Sequence, residues 1–259
     1  MRTFTKTYAD PEAPRRALDH HRWIAHANPD VRIPAVVQVR PTAIDFEHIE
    51  GRHGTAGDLV TLAGLLGHQH TTAHIRDLHA ARMDAPHISG DITIAGFADD
   101  RRGRLHHLLA SGSVPGPALT REAIDGWLER AAMMPTVFYK DANPRNFLIT
   151  GADVAVIDFD SLTLAPFGYD LAKLVVSTAM ATGPLHEDAI RQAVDAYNRH
   201  PSRHGLPGCS WHEFAAWCEF HHILTAPYLG TNNYRFSWHI ARPTYTTDTL
   251  RHFDKEWTL

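Results

Sequence analysis

Phe138 to Asp160 reads FYKDANPRNFLITGADVAVIDFD. Two short apolar runs, Phe147 to Thr150 and Val154 to Ile157, flank Gly151-Ala152-Asp153, a turn-forming tripeptide between β-rich segments, and predict a hairpin. Polar residues stand at both its ends: Asp141 and Asn146 before the first strand, Asp158 directly after the second. A carboxylate, an amide from the same approach and a second carboxylate delivered by the returning strand converge on one point. Three such oxygens suit Mg²⁺, which takes a few hard oxygen ligands and leaves its other positions to water and phosphate.

Asp141-Ala142-Asn143-Pro144-Arg145-Asn146 resembles the catalytic loop, written D-x-[HN]-P-x-N, of the aminoglycoside phosphotransferase and choline kinase-like family. Val156 to Asp160 is similar to that family's metal-binding strand end, and Pro166 to Ala172 to the segment that follows it. Protein kinases use the same layout, with an Asp at the acceptor hydroxyl and an Asn and a second Asp on the metals. Each piece alone is weak, because Asp and Asn are ordinary turn residues. Their order and spacing together carry the resemblance.

The resemblance implies an α+β, two-lobed protein kinase-like fold. Residues 1–51 would form a small β-rich N-terminal lobe and hinge, lacking the first two strands. Residues 52–259 would form a larger, mainly helical C-terminal lobe that carries the catalytic hairpin, 138–160. The implied activity is ATP-dependent transfer of the γ-phosphate to a hydroxyl of a small polar substrate. In that scheme Asp141 orients the acceptor, while Asn146 and Asp158 hold Mg²⁺ between the nucleotide phosphates, with Asp160 as an auxiliary ligand. Asp170 resembles the helix-start aspartate that accepts hydrogen bonds from the catalytic-loop backbone.

Toward the N-terminus, Thr3 to Tyr8 reads as a strand, Asp10-Pro11 opens a helix to about Ala27 with Ala17, Leu18, Trp23 and Ile24 as its apolar stripe, and two β-type runs follow, Ala35 to Val39 and Ala43 to Ile49. This order matches a kinase small lobe entered at its third strand. Lys6 then resembles the lysine that contacts nucleotide phosphates, and Phe46 to Gly51 the last strand and hinge. Adenine would there bond to backbone groups near Glu47, His48 and Ile49.

Three features depart from the family pattern. Only five residues precede Lys6, where the family carries two strands and a phosphate-covering loop. The helix glutamate expected to pair with the lysine falls at Ala17, and Glu12 and Asp19 are the nearest acids. Tyr139-Lys140 stands where His-Gly or His-Arg is usual. Lys140 places a cation beside Asp141, lowering the acid's pKa, and offers a second group for the γ-phosphate. These departures keep open a degenerate kinase-like protein that binds without turnover.

Gly57 to Arg82 predicts an amphipathic helix, interrupted near Gly64 and Gly67. His70 and His74 sit there at helical spacing, which raises zinc, but no metalloprotease Glu lies between them. Asp84 to Pro117, rich in Gly, Pro, Asp and Arg, reads as an irregular connection with a short β-like run at Asp91 to Ala95. Its Arg101, Arg102 and Arg104 could meet an anionic group, although such a run is more often simply solvated, which is the preferred reading. Helices are expected from Thr120 to Met134, Leu171 to Met180, Glu187 to Tyr197 and His212 to Tyr228. From the last region, aromatics with Glu213 and Glu219 suggest an acceptor that is cationic or polyhydroxylated.

With 259 residues, 44% hydrophobic and 21% charged, the chain can bury a substantial core. A net charge of −4 argues against nucleic acid as a partner. No apolar run approaches membrane-spanning length and the N-terminus lacks a signal-peptide core, so the expectation is a cytoplasmic protein. Two cysteines are too few for a disulfide framework. Twenty histidines make stability sensitive to mild acid, with a sign that depends on their burial.

Overall fold

Thr3–Thr7 (β1) alternates its side chains so that Phe4 and Lys6 share one face. It pairs antiparallel with Ala43–Glu47 (β3), Lys6 lying opposite Ile44, and Val36–Arg40 (β2) completes a sheet in the order β1-β3-β2. Between β1 and β2 runs the helix Ala13–Ala27 (α1), which buries Ala17, Trp23 and Ile24 as its spacing predicts, together with His20 and His21. The computed structural model describes residues 2–151 and 153–243. Ala152, in the expected hairpin turn, and the end of the expected C-terminal lobe, residues 244–259, lie outside the described residues.

Arg52–His53 (β4) pairs with Phe147–Ile149 (β8), which pairs in turn with Val154–Val156 (β9). That is the expected hairpin, with Phe147 opposite Val156 and Ile149 opposite Val154. The Val156 N–H donates to the Arg32 carbonyl at 2.9 Å, tying the returning strand to the segment between α1 and β2. The end of β9 therefore emerges beneath the small sheet.

Leu59–Arg76 (α2) is one unbroken helix, contrary to the expected interruption. Gly67 serves a crossing rather than a break: a Cβ there would lie 2.1 Å from the Tyr197 carbonyl oxygen, on the helix Glu187–Arg203 (α6). Asp84 to Pro117 is also more regular than expected. It holds a small hairpin, His87–Ser89 (β5) and Ile92–Ile94 (β6), and a helix, Ala98–Ala110 (α3). The weak apolar pattern of α3 hides it in the sequence, since only one side meets the core. Thr120 caps Arg121–Ala131 (α4), accepting from the Ala123 N–H.

Thr136–Tyr139 (β7) pairs antiparallel with Thr163–Pro166 (β10) and leads into the loop Asp141 to Asn146. Tyr169–Thr182 (α5) follows, buried around its whole circumference from Tyr169 to Met180. Trp211–Thr225 (α7) packs on it, opened by a capping box between Ser210 and Glu213. The short helix Trp238–Ala241 (α8) closes the described chain. Among the described residues no helix is long and apolar enough to cross a membrane.

Candidate active site

Two cavities meet at the mouth of the β8–β9 hairpin. The first, about 590 Å³, lies under the small sheet and is lined by Phe4, Lys6, Ala17, Phe46, Ile49, Asn146, Ile157, Asp158 and Asp160. The second, about 540 Å³, opens on the helical side and is lined by Tyr139, Asp141, Lys173, His221 and Tyr234, with Asp160 common to both. The first has the size and mixed apolar and charged wall of a nucleotide site.

Asp141 and Asp158 are both held in the left-handed backbone region, at φ 65° and 66°. A non-glycine residue there costs about 1–3 kcal/mol, a strain that clusters at functional sites. Each turns its chain sharply at the end of a strand and so aims its carboxylate into the cleft. Asn146 sits at the end of a single turn, Pro144–Asn146, and its Nδ2 donates to the Asp141 carbonyl at 2.9 Å. Its Oδ1 is left as the atom that can face a cation.

Lys6, although on an edge strand, places its Nζ 2.8 Å from both Asp158 Oδ1 and Asp160 Oδ2. Burial works against its charge, but the two carboxylates prevail and raise its pKa. Ala17 occupies the position of the expected helix glutamate and lines the cavity, so Lys6 takes its partners from the end of the hairpin instead. The Tyr8 hydroxyl donates to Asp160 at 3.4 Å, and burial pushes this phenol up to about 12. Of the three hinge residues, Glu47 and His48 have already committed their N–H groups, to Ala35 O and Arg2 O. Ile49 alone keeps an N–H without a backbone acceptor among the described residues, on the cavity wall.

Asp141 is engaged on one oxygen only. Lys173 Nζ lies 2.9 Å from its Oδ1, and the Tyr139 hydroxyl donates to the same atom at 3.0 Å. Burial favours the protonated acid, yet the Lys173 ammonium and these hydrogen bonds outweigh it and lower the pKa. Asp141 is thus ionised near neutrality, and its Oδ2 has no partner among the described residues. Asp170, at the start of α5, accepts from the N–H groups of Ala142 at 2.7 Å and Lys140 at 3.1 Å, the backbone-holding role the resemblance implied. Burial lifts its pKa to about 6 in spite of these donors.

Lys140 requires a correction. Its side chain lines neither cavity: Nζ is buried without a hydrogen-bond acceptor, over the Phe147 ring at 4.6 Å, and burial lowers its pKa. Strand alternation decides this, because Tyr139 faces the cleft and its neighbour must face the core. The cation that meets Asp141 is Lys173, which sequence reading missed. Its signal was its place three residues after Asp170, on the same face of α5.

Arg101 is also not part of a solvated run. It is buried, with Phe97 O at 2.8 Å, Thr163 Oγ1 at 2.7 Å and Tyr169 Oη at 3.2 Å as acceptors, and it lies over the Phe97 and Tyr169 rings. Glu213 caps α7, and Glu219 is buried between Trp238 Nε1 and Arg242, so neither carboxylate faces the second cavity. His221, Tyr228, Asn232 and Tyr234 line the second cavity instead. The zinc idea also fails locally. His70 Nδ1 meets the Tyr197 hydroxyl at 2.7 Å and His74 Nδ1 the Thr136 carbonyl at 2.8 Å. Among the described residues no three His, Cys, Asp or Glu side chains group to hold a metal ion.

The sequence matches the phosphotransferase enzyme family over residues 2–206. The chain belongs to that family. It is therefore a small-molecule phosphotransferase with an alcohol group as acceptor, and the match gives no support to a degenerate binding protein. Solved structures agree on the two-lobed kinase-like fold. A macrolide 2'-phosphotransferase from Brachybacterium faecium is similar at 19% identity and a TM-score of 0.57, over 93% of this chain and 85% of that one. An ethanolamine kinase from Plasmodium vivax is similar at 12% identity and a TM-score of 0.58, over 96% and 77%. A choline kinase from Streptococcus pneumoniae is similar at 12% identity and a TM-score of 0.57, over 98% and 84%. No match was found among curated proteins.

Proposed function

We propose that this phosphotransferase moves the γ-phosphoryl group of ATP, with Mg²⁺, onto the hydroxyl of a small polar molecule. The observation that carries the reading is the meeting of two cavities at Asp160, with Lys6, Asn146 and Asp158 on one side and Asp141 on the other. Residues 1–51 would act as the nucleotide lobe and hinge, and the rest as the lobe that supplies the chemistry. A neighbouring phosphotransferase has been solved with streptomycin and ATP together, which supports ATP as donor. A small-molecule acceptor and a cytoplasmic location, where ATP is plentiful, complete the reading.

The residues fit a hard divalent cation. Asp158 and Asp160 converge on one positive charge, that of Lys6, and Asn146 offers an amide oxygen beside them. Bound there with ATP, Mg²⁺ would neutralise charge on the phosphates. Adenine is received between Phe46 and the apolar wall at Ile157, with the free Ile49 N–H as its donor partner at the hinge. Lys6 then exchanges carboxylates for phosphate oxygens.

In the transfer, the acceptor oxygen forms its bond to the γ-phosphorus as the bond to the β–γ bridging oxygen breaks. The hydroxyl proton passes to Asp141 Oδ2, and ADP leaves. Because Lys173 holds Asp141 ionised, its carboxylate is a weak base, and its main work is to orient the hydroxyl. That suits a loose transition state in which little proton transfer has occurred.

The test combines thermal stability with ADP release. Stabilisation that requires ATP and Mg²⁺ together supports the reading, and a response to neither would overturn it. Asp141→Ala should lower turnover by about 10²–10⁴ while leaving nucleotide binding intact. Asp158→Ala should remove the Mg²⁺-dependent part of nucleotide binding. Parental turnover in both variants would refute the assignment of these residues.

A further inference from the structure

The second cavity has a charge pattern that the acceptor must match. Four cationic side chains line it, Arg101, Arg104, Arg145 and Lys173, against two carboxylates, Asp141 and Asp160. Both carboxylates already face a cation. Lys173 pairs with Asp141, and Lys6, from the other cavity, is shared between Asp160 and Asp158. Three guanidinium groups remain with no carboxylate partner among the described residues.

They differ in how free they are. Arg101 spends its donors on Phe97 O, Thr163 Oγ1 and Tyr169 Oη, so it contributes chiefly buried positive charge. Arg104 meets only Tyr228 among the described residues, donating to its hydroxyl at 2.9 Å and lying 6.0 Å from its ring centroid. The side chain of Arg145 has no hydrogen-bond or ion-pair partner among the described residues, although it sits in the catalytic loop between Asn143 and Asn146. None of the three lines the nucleotide cavity, so nucleotide phosphates do not account for them.

We infer that the acceptor is a hydroxyl compound carrying a carboxylate or phosphate group, held by Arg104 and Arg145 while its hydroxyl lies at Asp141. A guanidinium presents paired donors that match such a group, and a partly closed cavity strengthens the attraction. The same charges disfavour an amino alcohol or an aminoglycoside, whose ammonium groups would meet three unpaired cations and no unpaired carboxylate. The inference rests on the phosphotransferase reading and names the acceptor class within it.

Thermal stability with Mg²⁺ and the non-hydrolysable nucleotide AMP-PNP, which fills the first cavity, provides the test. Glycerol 3-phosphate and glycerate are the anionic probes, and ethanolamine is the cationic probe of similar size. At least one anionic probe should raise the Tm further, whereas ethanolamine should not. Glycerol 3-phosphate acting alone would identify phosphate as the favoured anion, and glycerate acting alone would identify carboxylate. Arg104→Glu with Arg145→Glu, both at exposed positions, should weaken the anionic probe by about tenfold or more and keep the AMP-PNP shift. Stabilisation by ethanolamine alone, by no probe, or by an anionic probe undiminished in the double variant would overturn the inference. Loss of the AMP-PNP shift in the parent protein would instead count against the phosphotransferase reading.

Discussion

Lys173 Nζ lies 2.9 Å from Asp141 Oδ1, so the proposed acceptor-orienting carboxylate is held by a cation from the first turn of the helix that follows the hairpin. Asp170, one turn end away on the same helix, holds the backbone of the same loop through Lys140 and Ala142. One buried helix thereby fixes both the main chain and the charge state at the site.

Lys173→Met should raise the pKa of Asp141, since burial would then act without its main opponent. The acid limb of kcat/KM should move to higher pH, and turnover at neutral pH should fall. Lys173→Arg should restore much of both. A variant whose activity drops with an unmoved pH profile would show that Lys173 acts only on packing.

In the proposed site Lys6 and a divalent cation would compete for Asp158 and Asp160. Lys6→Met should weaken ATP binding by about tenfold or more, through loss of a charge-assisted contact to phosphate. It should at the same time strengthen Mg²⁺ binding in the absence of nucleotide, because the carboxylates lose their resident counter-charge. Calorimetry with Mg²⁺ alone reads the second effect, and an unchanged or weaker affinity there would contradict the shared site.

Stability should fall in mild acid. Burial lowers His70 to about 3 and takes His221 well below its ordinary value, so each contributes stability that is present above pH 6.5 and is lost as pH falls below it. His20, His21 and His222 shift in the same direction, again through burial first. Asp170 works the other way. Its raised pKa, about 6, stabilises the fold at low pH and ceases to do so as pH rises through that value. Each fully buried histidine contributes a slope of about 1.4 kcal/mol per pH unit, and two of them outweigh one aspartate. The Tm should therefore drop between pH 7.5 and 5.5, and His221→Gln should flatten the curve. A Tm that rises over this range would contradict the assignment.

Gly67→Ala should be destabilising by about 1–3 kcal/mol, because a Cβ at that crossing would meet the Tyr197 carbonyl at 2.1 Å and force α2 and α6 apart. Gly64→Ala, with its nearest neighbour at 3.9 Å, should be close to neutral or mildly stabilising. Denaturant unfolding of the two variants makes the comparison, and equal effects would show that helix propensity alone is at work.

The hairpin was legible because its signals are local: alternating short apolar runs, a turn between them, and polar residues at fixed offsets. The same holds for α1, α5 and α7, whose apolar periods follow from one buried face or a wholly buried stretch. Lys6 stood out in the sequence as a lysine alone in a β-branched run, but its partners, Asp158 and Asp160, come from the far side of the chain and no spacing rule relates them. Lys140 was misread because it stands next to Asp141 in the sequence, whereas directly after β7 its side chain turns into the core. Arg101, Arg102 and Arg104 looked alike, yet Arg101 is buried among rings at the wall of the second cavity, Arg102 pairs with Asp125 and Arg104 lines that cavity from an exposed position.

Sequence by itself determined the β8–β9 hairpin and the polar residues at its two ends, Asp141, Asn146 and Asp158, since these depend on neighbours a few positions apart. Only the tertiary structure decided which cation meets Asp141, that four cationic side chains line the second cavity, and which histidines are buried. Those properties arise from charges and burial brought together by segments far apart in the chain, and Coulomb interaction and desolvation depend on distance in space.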